Sequence, residues 1–361
     1  MHMADALLSP AVGGTMWLAS AGAISYCSAK VKKEMDNSRV PLMGVLGAFI
    51  FAAQMINFTT PATGSSGHLG GGLILSILLG PYAAFLTISS VLVVQALFFA
   101  DGGLLALGCN IFNLGIFPAF VAYPFIYKPM VGDKPTPGKI TAAAMAAAVV
   151  GLQLGAFGVV LETLFSGISS LPFSTFVALM QPIHLGIGVV EGFVTAMVVT
   201  FIYKARPEIL LGPQLLDTPG VMPMRNVVLA FVAATLLTGG FLSWFASENP
   251  DGLEWSIQKV TGKEEVESEK TSLHAALTSL QEKLALLPDY SFKKTDVAKK
   301  EQTKPTEPET AARTGSGEAT AEKKEEGSRF GTSVSGIVGG LITLLVAFIT
   351  GLALRKRSIK V

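Results

Sequence analysis

The sequence predicts an all-α protein that crosses a lipid bilayer repeatedly. Two observations carry that expectation. Of 361 residues, 50% are hydrophobic and 15% charged, against about 25% charge in a soluble domain. The charge is also segregated. Most of it lies in 248–329 and a few short loops, and the remainder reads as apolar runs of about 20 residues, the length that spans hydrocarbon.

Nine such runs follow in order: 10–29, 41–58, 69–79, 82–99, 107–127, 140–165, 182–203, 226–245 and 334–354. The third is too short to cross alone. Its glycine-rich approach, Gly64-Ser65-Ser66-Gly67-His68-Leu69-Gly70-Gly71-Gly72, predicts a loop that dips into the protein ahead of a half-helix. Irregular backbone at membrane depth survives only where protein or water satisfies its polar groups, so such a dip reads as part of a site.

Orientation follows from positive charge. Lys30, Lys32, Lys33, Arg39, Lys128, Lys134, Lys139, Lys204, Arg206, Arg225, Arg355, Lys356, Arg357 and Lys360 all fall on one side of the spans. The short loops opposite hold none, and the other basic residues sit in the long 248–329 loop, which is too long to obey the rule. The N-terminus is therefore expected outside and the C-terminus in the cytoplasm.

The long loop has three expected parts. Pro250-Asp251-Gly252-Leu253-Glu254-Trp255 follows the eighth span. Leu273, Leu277, Leu280, Leu284 and Leu287 then form one apolar helical stripe, with His274 off the stripe and expected in solvent. Residues 293–328 are Lys, Glu, Thr, Ala and Pro with almost no large apolar side chain; they are expected to be disordered and to act as a tether.

Several function classes are excluded. No basic stripe suggests nucleic acid. The segment Gly132-Asp133-Lys134-Pro135-Thr136-Pro137-Gly138-Lys139-Ile140 fails as a phosphate loop: the glycine spacing is wrong, Ile140 replaces the Ser or Thr that would hold Mg²⁺, and two prolines intervene. Cys27 and Cys109 lack the spacing of a disulfide or zinc site and are expected to pack. No basic residue precedes Lys30, so no signal peptide is expected.

The chemistry gathers at the start of the chain. Met1-His2 offers an α-amine, a backbone nitrogen and an imidazole in one short stretch. These close two chelate rings on one ion and fill three corners of a square, a geometry suited to Ni(II) and Cu(II). His68, in its glycine-rich loop, is expected to supply the fourth nitrogen. Ligand deprotonation would make capture pH-dependent. The orientation rule places Met1, His2 and His68 on the same outer side without reference to the metal.

Other polar residues are read both ways. His184 and Glu191 share a helix face within the seventh span. They serve either as interhelical hydrogen-bonding groups or in a second shell that orients a ligand. Asn110 and Asn113 bridge helices or steady the metal loops. Turn chemistry explains Asp101-Gly102-Gly103. Asp251 and Glu254 either hand over an ion or belong to a Pro-Asp-Gly turn that caps a helix.

Met1-His2 with Asp5-Ala6-Leu7-Leu8, the Gly67-His68-Leu69-Gly70-Gly71 loop, Asp101-Gly102-Gly103-Leu104, Ala106-Leu107-Gly108 before Asn110, and His184 with Glu191-Gly192 together resemble the CbiM/NikM family. These are substrate-specific (S) membrane components of nickel and cobalt energy-coupling-factor transporters. The resemblance covers about 1–213. The part from 214 to 361, with Pro250–Glu254 between two spans, looks like a fused PDGLE-type component, similar to NikN and CbiN.

The resemblance implies a seven-helix bundle with two additional C-terminal transmembrane helices, in a prokaryotic cell (inner) membrane. It implies that the bundle binds Ni(II) or Co(II) through Met1, His2 and His68, with no resident cofactor and no enzymatic activity of its own. It also implies a transmembrane coupling component and separate ATP-binding cassette ATPase subunits as partners. Met3-Ala4 departs from the commoner Ile-Pro at those positions and leaves the chelating atoms intact. A stand-alone secondary transporter, using His184 and Glu191 as a relay, is the competing expectation. A membrane metalloenzyme is set aside, because a filled square leaves no open coordination position.

Overall fold

A computed structural model describes residues 2–34, 39–60, 63–168, 171–211, 222–262, 272–293 and 317–355, with backbone alone over 317–328. The elements are α1 (Pro10–Glu34), α2 (Val40–Gln54), the strands β1 (Phe58–Thr59) and β2 (Ser66–Gly67), α3 (Gly72–Leu79), α4 (Pro81–Phe98), α5 (Leu107–Val131), α6 (Pro137–Ser166), α7 (Phe173–Ala205), α8 (Met224–Gly240), α9 (Gly252–Thr261), α10 (Ser272–Leu284) and α11 (Gly317–Leu354). Among the described residues, α4, α5, α6, α7 and Arg329–Leu354 of α11 are long and apolar enough to cross a membrane.

The chain is a multi-pass membrane protein whose centre is α2. Every residue from Leu42 to Gln54 is buried, as expected of a helix that is apolar all round. It packs against α4, α8 and α11. The last two approach because small residues line the seams: a Cβ on Gly44 would meet the Leu344 carbonyl at 2.9 Å, and Gly239 of α8 meets Gly336 of α11 backbone to backbone. Such small-residue seams let helices pack closely where lipid supplies no hydrophobic driving force. The C-terminal helices therefore complete the bundle around α2, while α6 and α7 pair along their length on the other flank.

Three boundaries differ from expectation. Residue Pro182 lies inside α7, which begins at Phe173. The third run becomes an eight-residue helix, Gly72–Leu79, entered through Gly71 at φ 74°. Residues 317–328, expected to be disordered, are helical and continuous with the apolar span. Their Glu, Ala and Lys content favours helix, and propagation from a formed helix avoids the nucleation cost. The remainder of that expectation, 294–316, lies outside the described residues, as does the 213/214 boundary.

Between α2 and α3 the strands pair antiparallel, Phe58 with Gly67 and Thr59 with Ser66. Ser66 also bridges Asp251 at the start of α9. The glycine-rich loop thus turns back into the end of the bundle, under the segment that follows α8.

Candidate metal centre

The N-terminal stretch is pinned into that end of the bundle. Met3, Leu7 and Leu8 are fully buried. The Met3 amide donates to Asn110 Oδ1 at 2.8 Å. The Met3 carbonyl accepts from Asn110 Nδ2 at 3.3 Å and from the Gly103 amide at 3.0 Å. Asp5 Oδ1 accepts from the Ala106 amide at 2.9 Å. Gly102 has φ 80°, and a Cβ there would stand 2.9 Å from Asn110 Nδ2 and 3.2 Å from His2 Cβ; only glycine serves both demands.

These contacts deliver the His2 imidazole to His68. The two rings stack with centroids 4.8 Å apart and planes 20° apart. His2 Nδ1 lies 2.8 Å from Asp101 Oδ1, and His2 Nε2 is buried without a hydrogen-bond partner among the described residues. His68 Nδ1 donates to the Leu69 carbonyl at 2.9 Å. That bond leaves the lone pair on Nε2, the usual second-shell device for presenting an imidazole to a metal. Burial pushes the His68 imidazole down to about 3, so it stands as a neutral ring. Burial opposes ionisation of Asp101, yet the His2 charge and hydrogen bonds from His2 and Tyr290 hold its carboxyl below the usual carboxylate range.

The expected supporting residues separate. Glu191 clamps the His68 loop: its oxygens accept from the Gly70 amide at 2.7 Å and the Gly71 amide at 3.1 Å. Gln54, held in turn by Gln95, donates to the Gly70 carbonyl at 2.9 Å. Asn110 grips the N-terminal stretch, whereas Asn113 donates to Glu162 Oε2 at 2.8 Å and bridges α5 to α6. His184 Nδ1 donates to the Met180 carbonyl of its own helix, and its buried Nε2 has no partner among the described residues. Its Cε1 lies against Gly252. Asp251 and Glu254 form a complete capping box on α9 and also line the cavity above the imidazoles.

That cavity, about 600 Å³, has His2, His68, Asp101, Asp251, Glu254 and Tyr290 in its wall. Residues 246–262 and 272–293 cap it through hydrogen bonds. Ser66 donates from its amide to the Pro250 carbonyl at 2.8 Å and from Oγ to the Asn249 carbonyl at 2.7 Å. Gln281 Nε2 donates to the carbonyls of Ala96 and Gly102, and the Leu286 amide to that of Phe98. The end of α4 leaves carbonyls without helical partners, and the cap supplies the donors. This explains why α10 turns its polar face inward. His274, expected in solvent, is 4% exposed and donates to the Leu8 carbonyl, while Leu273, Leu280 and Leu284 of the apolar stripe are 40–47% exposed.

Met1 lies outside the described residues, so the amine ligand has no observed position. Among the described residues no group of three or more His, Cys, Asp or Glu side chains is set to hold a metal ion. Sequence reasoning missed Asp101 as a partner of His2, and it missed Tyr290, Gln54 and Gln281 altogether. Asp101 reads locally as a turn residue, and no motif marks Tyr290; their meeting spans 189 positions of sequence.

A multi-pass helical bundle that brings two imidazoles and a carboxylate into one capped cavity has the build of a membrane transport component for a transition-metal ion. The chain belongs to the CbiM family: residues 2–209 match the model described as the cobalt uptake substrate-specific transmembrane region. Residues 225–356 match the PDGLE domain. It is 37% identical to a putative metal transport protein of Haloquadratum walsbyi, over 58% of this chain and 93% of that one. It is 34% identical to a putative fused nickel transport protein, NikMN, of Archaeoglobus fulgidus, over 66% of this chain and 76% of that one. A crystal structure of a transition metal transporter superposes with a TM-score of 0.52 at 31% identity, covering 61% of this chain and all of that one. The protein is a nickel/cobalt transport component.

Proposed function

We propose that this protein captures Ni(II) from outside the cell as the substrate-specificity component of an energy-coupling-factor uptake transporter. The ligands are the Met1 amine, the His2 amide and imidazole, and the His68 imidazole. The observation that carries this reading is the stacking of His2 on His68 at 4.8 Å, at the mouth of the bundle. Asn110 holding Met3 and Glu191 holding Gly70 and Gly71 are the supports that keep the two rings together. His184 sits behind the cap as a further supporting group.

Amide-nitrogen ligation in a square favours Ni(II), and the fused relative is named for nickel. The alternative is Co(II), which the description of the matching family model names.

Energy must come from elsewhere. An affinity of about 1 nM corresponds to about 12 kcal/mol. With association near about 10⁶ M⁻¹s⁻¹, spontaneous release takes on the order of a thousand seconds. Work from another subunit must open such a site, so ATP hydrolysis in separate ATPase subunits, transmitted by a membrane coupling protein, drives release. The division of labour is 1–213 for binding and 214–361 for loading. Asp251 and Glu254 in the cavity wall attract the ion electrostatically and pass it inward. The basic loops lie in the cytoplasm and the metal site outside.

The experiment is metal content and absorption spectrum of the purified protein, intact and with one residue added before Met1. A square-planar nickel spectrum lost on extension supports the chelate; retained metal in the extended protein overturns it.

A further inference from the structure

Backbone strain in the cap is concentrated at one junction. Among the described residues, the non-glycine residues with positive φ are Ala100 at 55°, Asp289 at 50° and Tyr290 at 56°. Ala100 adjoins Asp101, and the Asp289 amide donates to the Phe99 carbonyl at 2.9 Å. Left-handed non-glycine backbone persists only where its surroundings over-determine it, and it gathers at clamps and switch regions. The surroundings here are specific. The Tyr290 ring stacks on Phe99 at 5.1 Å and 20°, with the edge of Phe51 at 6.2 Å. Its hydroxyl donates to Asp101 Oδ2. The other oxygen of the same carboxylate, Oδ1, accepts from His2 Nδ1 at 2.8 Å.

The choice of ring nitrogen matters. A metal bound to the His2 amide nitrogen closes a six-membered ring through Cα, Cβ, Cγ and Nδ1 of the same residue. Nε2 lies on the far edge of the imidazole and cannot close it. An ionised carboxylate only accepts hydrogen bonds, so the nitrogen facing Asp101 carries the hydrogen. The nitrogen required for chelation is therefore the one that the carboxylate engages.

We propose that Asp101, anchored by Tyr290, is a positioning residue that holds the chelating nitrogen of His2 in a metal-free resting state, and that Tyr290 carries the position of the cap to the metal centre. This inference rests on the chelate reading above. Loading breaks the Nδ1–H···Oδ1 bond; the ring turns about Cβ–Cγ, water takes the Nδ1 proton and returns one to Nε2, the His2 amide gives its own proton to water, and the two metal–nitrogen bonds form. The PDGLE part thereby acts on the ion through one phenol and one carboxylate, in addition to any attraction from Asp251 and Glu254.

The test is stopped-flow mixing of the full-length purified protein with Ni(II) chloride, followed at the square-planar absorption band. Tyr290→Phe keeps the ring stack and removes the hydroxyl. It is expected to load about fivefold faster, the equivalent of one ordinary hydrogen bond in the resting state, and to reach the unaltered spectrum and stoichiometry. Asp101→Asn is expected to load faster still, and the double variant no faster than Asp101→Asn alone. Loading of Tyr290→Phe at the original or a slower rate overturns the proposal, as do additive effects in the double variant. Should Asp101→Asn fail a thermal-unfolding check, Tyr290→Phe decides alone. Absence of the square-planar band in the unaltered protein instead defeats the chelate reading.

Discussion

Asn110 grips the backbone of Met3 with both halves of its amide, accepting from the Met3 nitrogen at 2.8 Å and donating to the Met3 oxygen at 3.3 Å. One side chain on α5 thus anchors the residue next to the candidate ligand His2. Replacement by Ala leaves a buried backbone amide and carbonyl short of partners, at a cost of about 1–3 kcal/mol. Asn110→Ala is expected to lower nickel affinity by an order of magnitude or more while the helices stay intact. Titration calorimetry with circular dichroism checks both; unaltered affinity refutes the anchoring role.

Glu191 binds two successive amides of the loop that carries His68. Glu191→Gln presents one oxygen and one amide group, so one backbone donor faces another donor. The expected outcome is a fall in melting temperature of several degrees, corresponding to about 1–3 kcal/mol, together with weaker nickel binding. Asn113→Ala, acting at Glu162 instead, is expected to lower stability without a comparable loss of metal affinity. Equal losses of affinity in both variants would remove the special role of Glu191.

Gly102 tests the steric argument. An added Cβ collides with Asn110 Nδ2 at a backbone φ of 80° that side chains rarely adopt. Gly102→Ala is expected to abolish tight nickel binding, whereas Gly14→Ala on α1, where the added Cβ meets nothing within 4 Å, is expected to bind as the unaltered protein does. Equilibrium dialysis with radiolabelled nickel measures both.

Asp251 and Glu254 have two roles that substitution separates. Asn caps helices as well as Asp, so Asp251→Asn keeps the cap and removes the charge. The Asp251→Asn, Glu254→Gln double variant is expected to unfold at nearly the original temperature and to take up nickel several-fold more slowly at limiting metal in a reconstituted transporter, through lost electrostatic attraction. Uptake at the original rate would leave the pair as a helix cap only.

Local sequence carried a great deal. Apolar length predicted α1, α2, α4 to α8 and the apolar part of α11, because a bilayer leaves a chain few ways to satisfy its backbone. The glycines around His68 predicted an unusual loop, and the loop turns back beside α3 as a backbone of that flexibility permits. The boundary errors have local causes too. The sequence suggests a start at Pro182, yet neighbouring helices tolerate a proline inside α7. Composition alone suggests disorder for the charged stretch before Arg329, but the adjoining apolar helix extends back through it to Gly317.

What the sequence by itself determined was the class of protein and the candidate ligands His2 and His68, because each rests on length or covalent proximity. What only the tertiary structure decided was which polar groups meet. Asp101 joining His2 to Tyr290, Glu191 under Gly70 and Gly71, and α10 turning His274 and Gln281 inward are pairings across more than a hundred residues or between separate elements. A hydrogen bond depends on distance and direction in space, and neither is written in the spacing of residues along the chain.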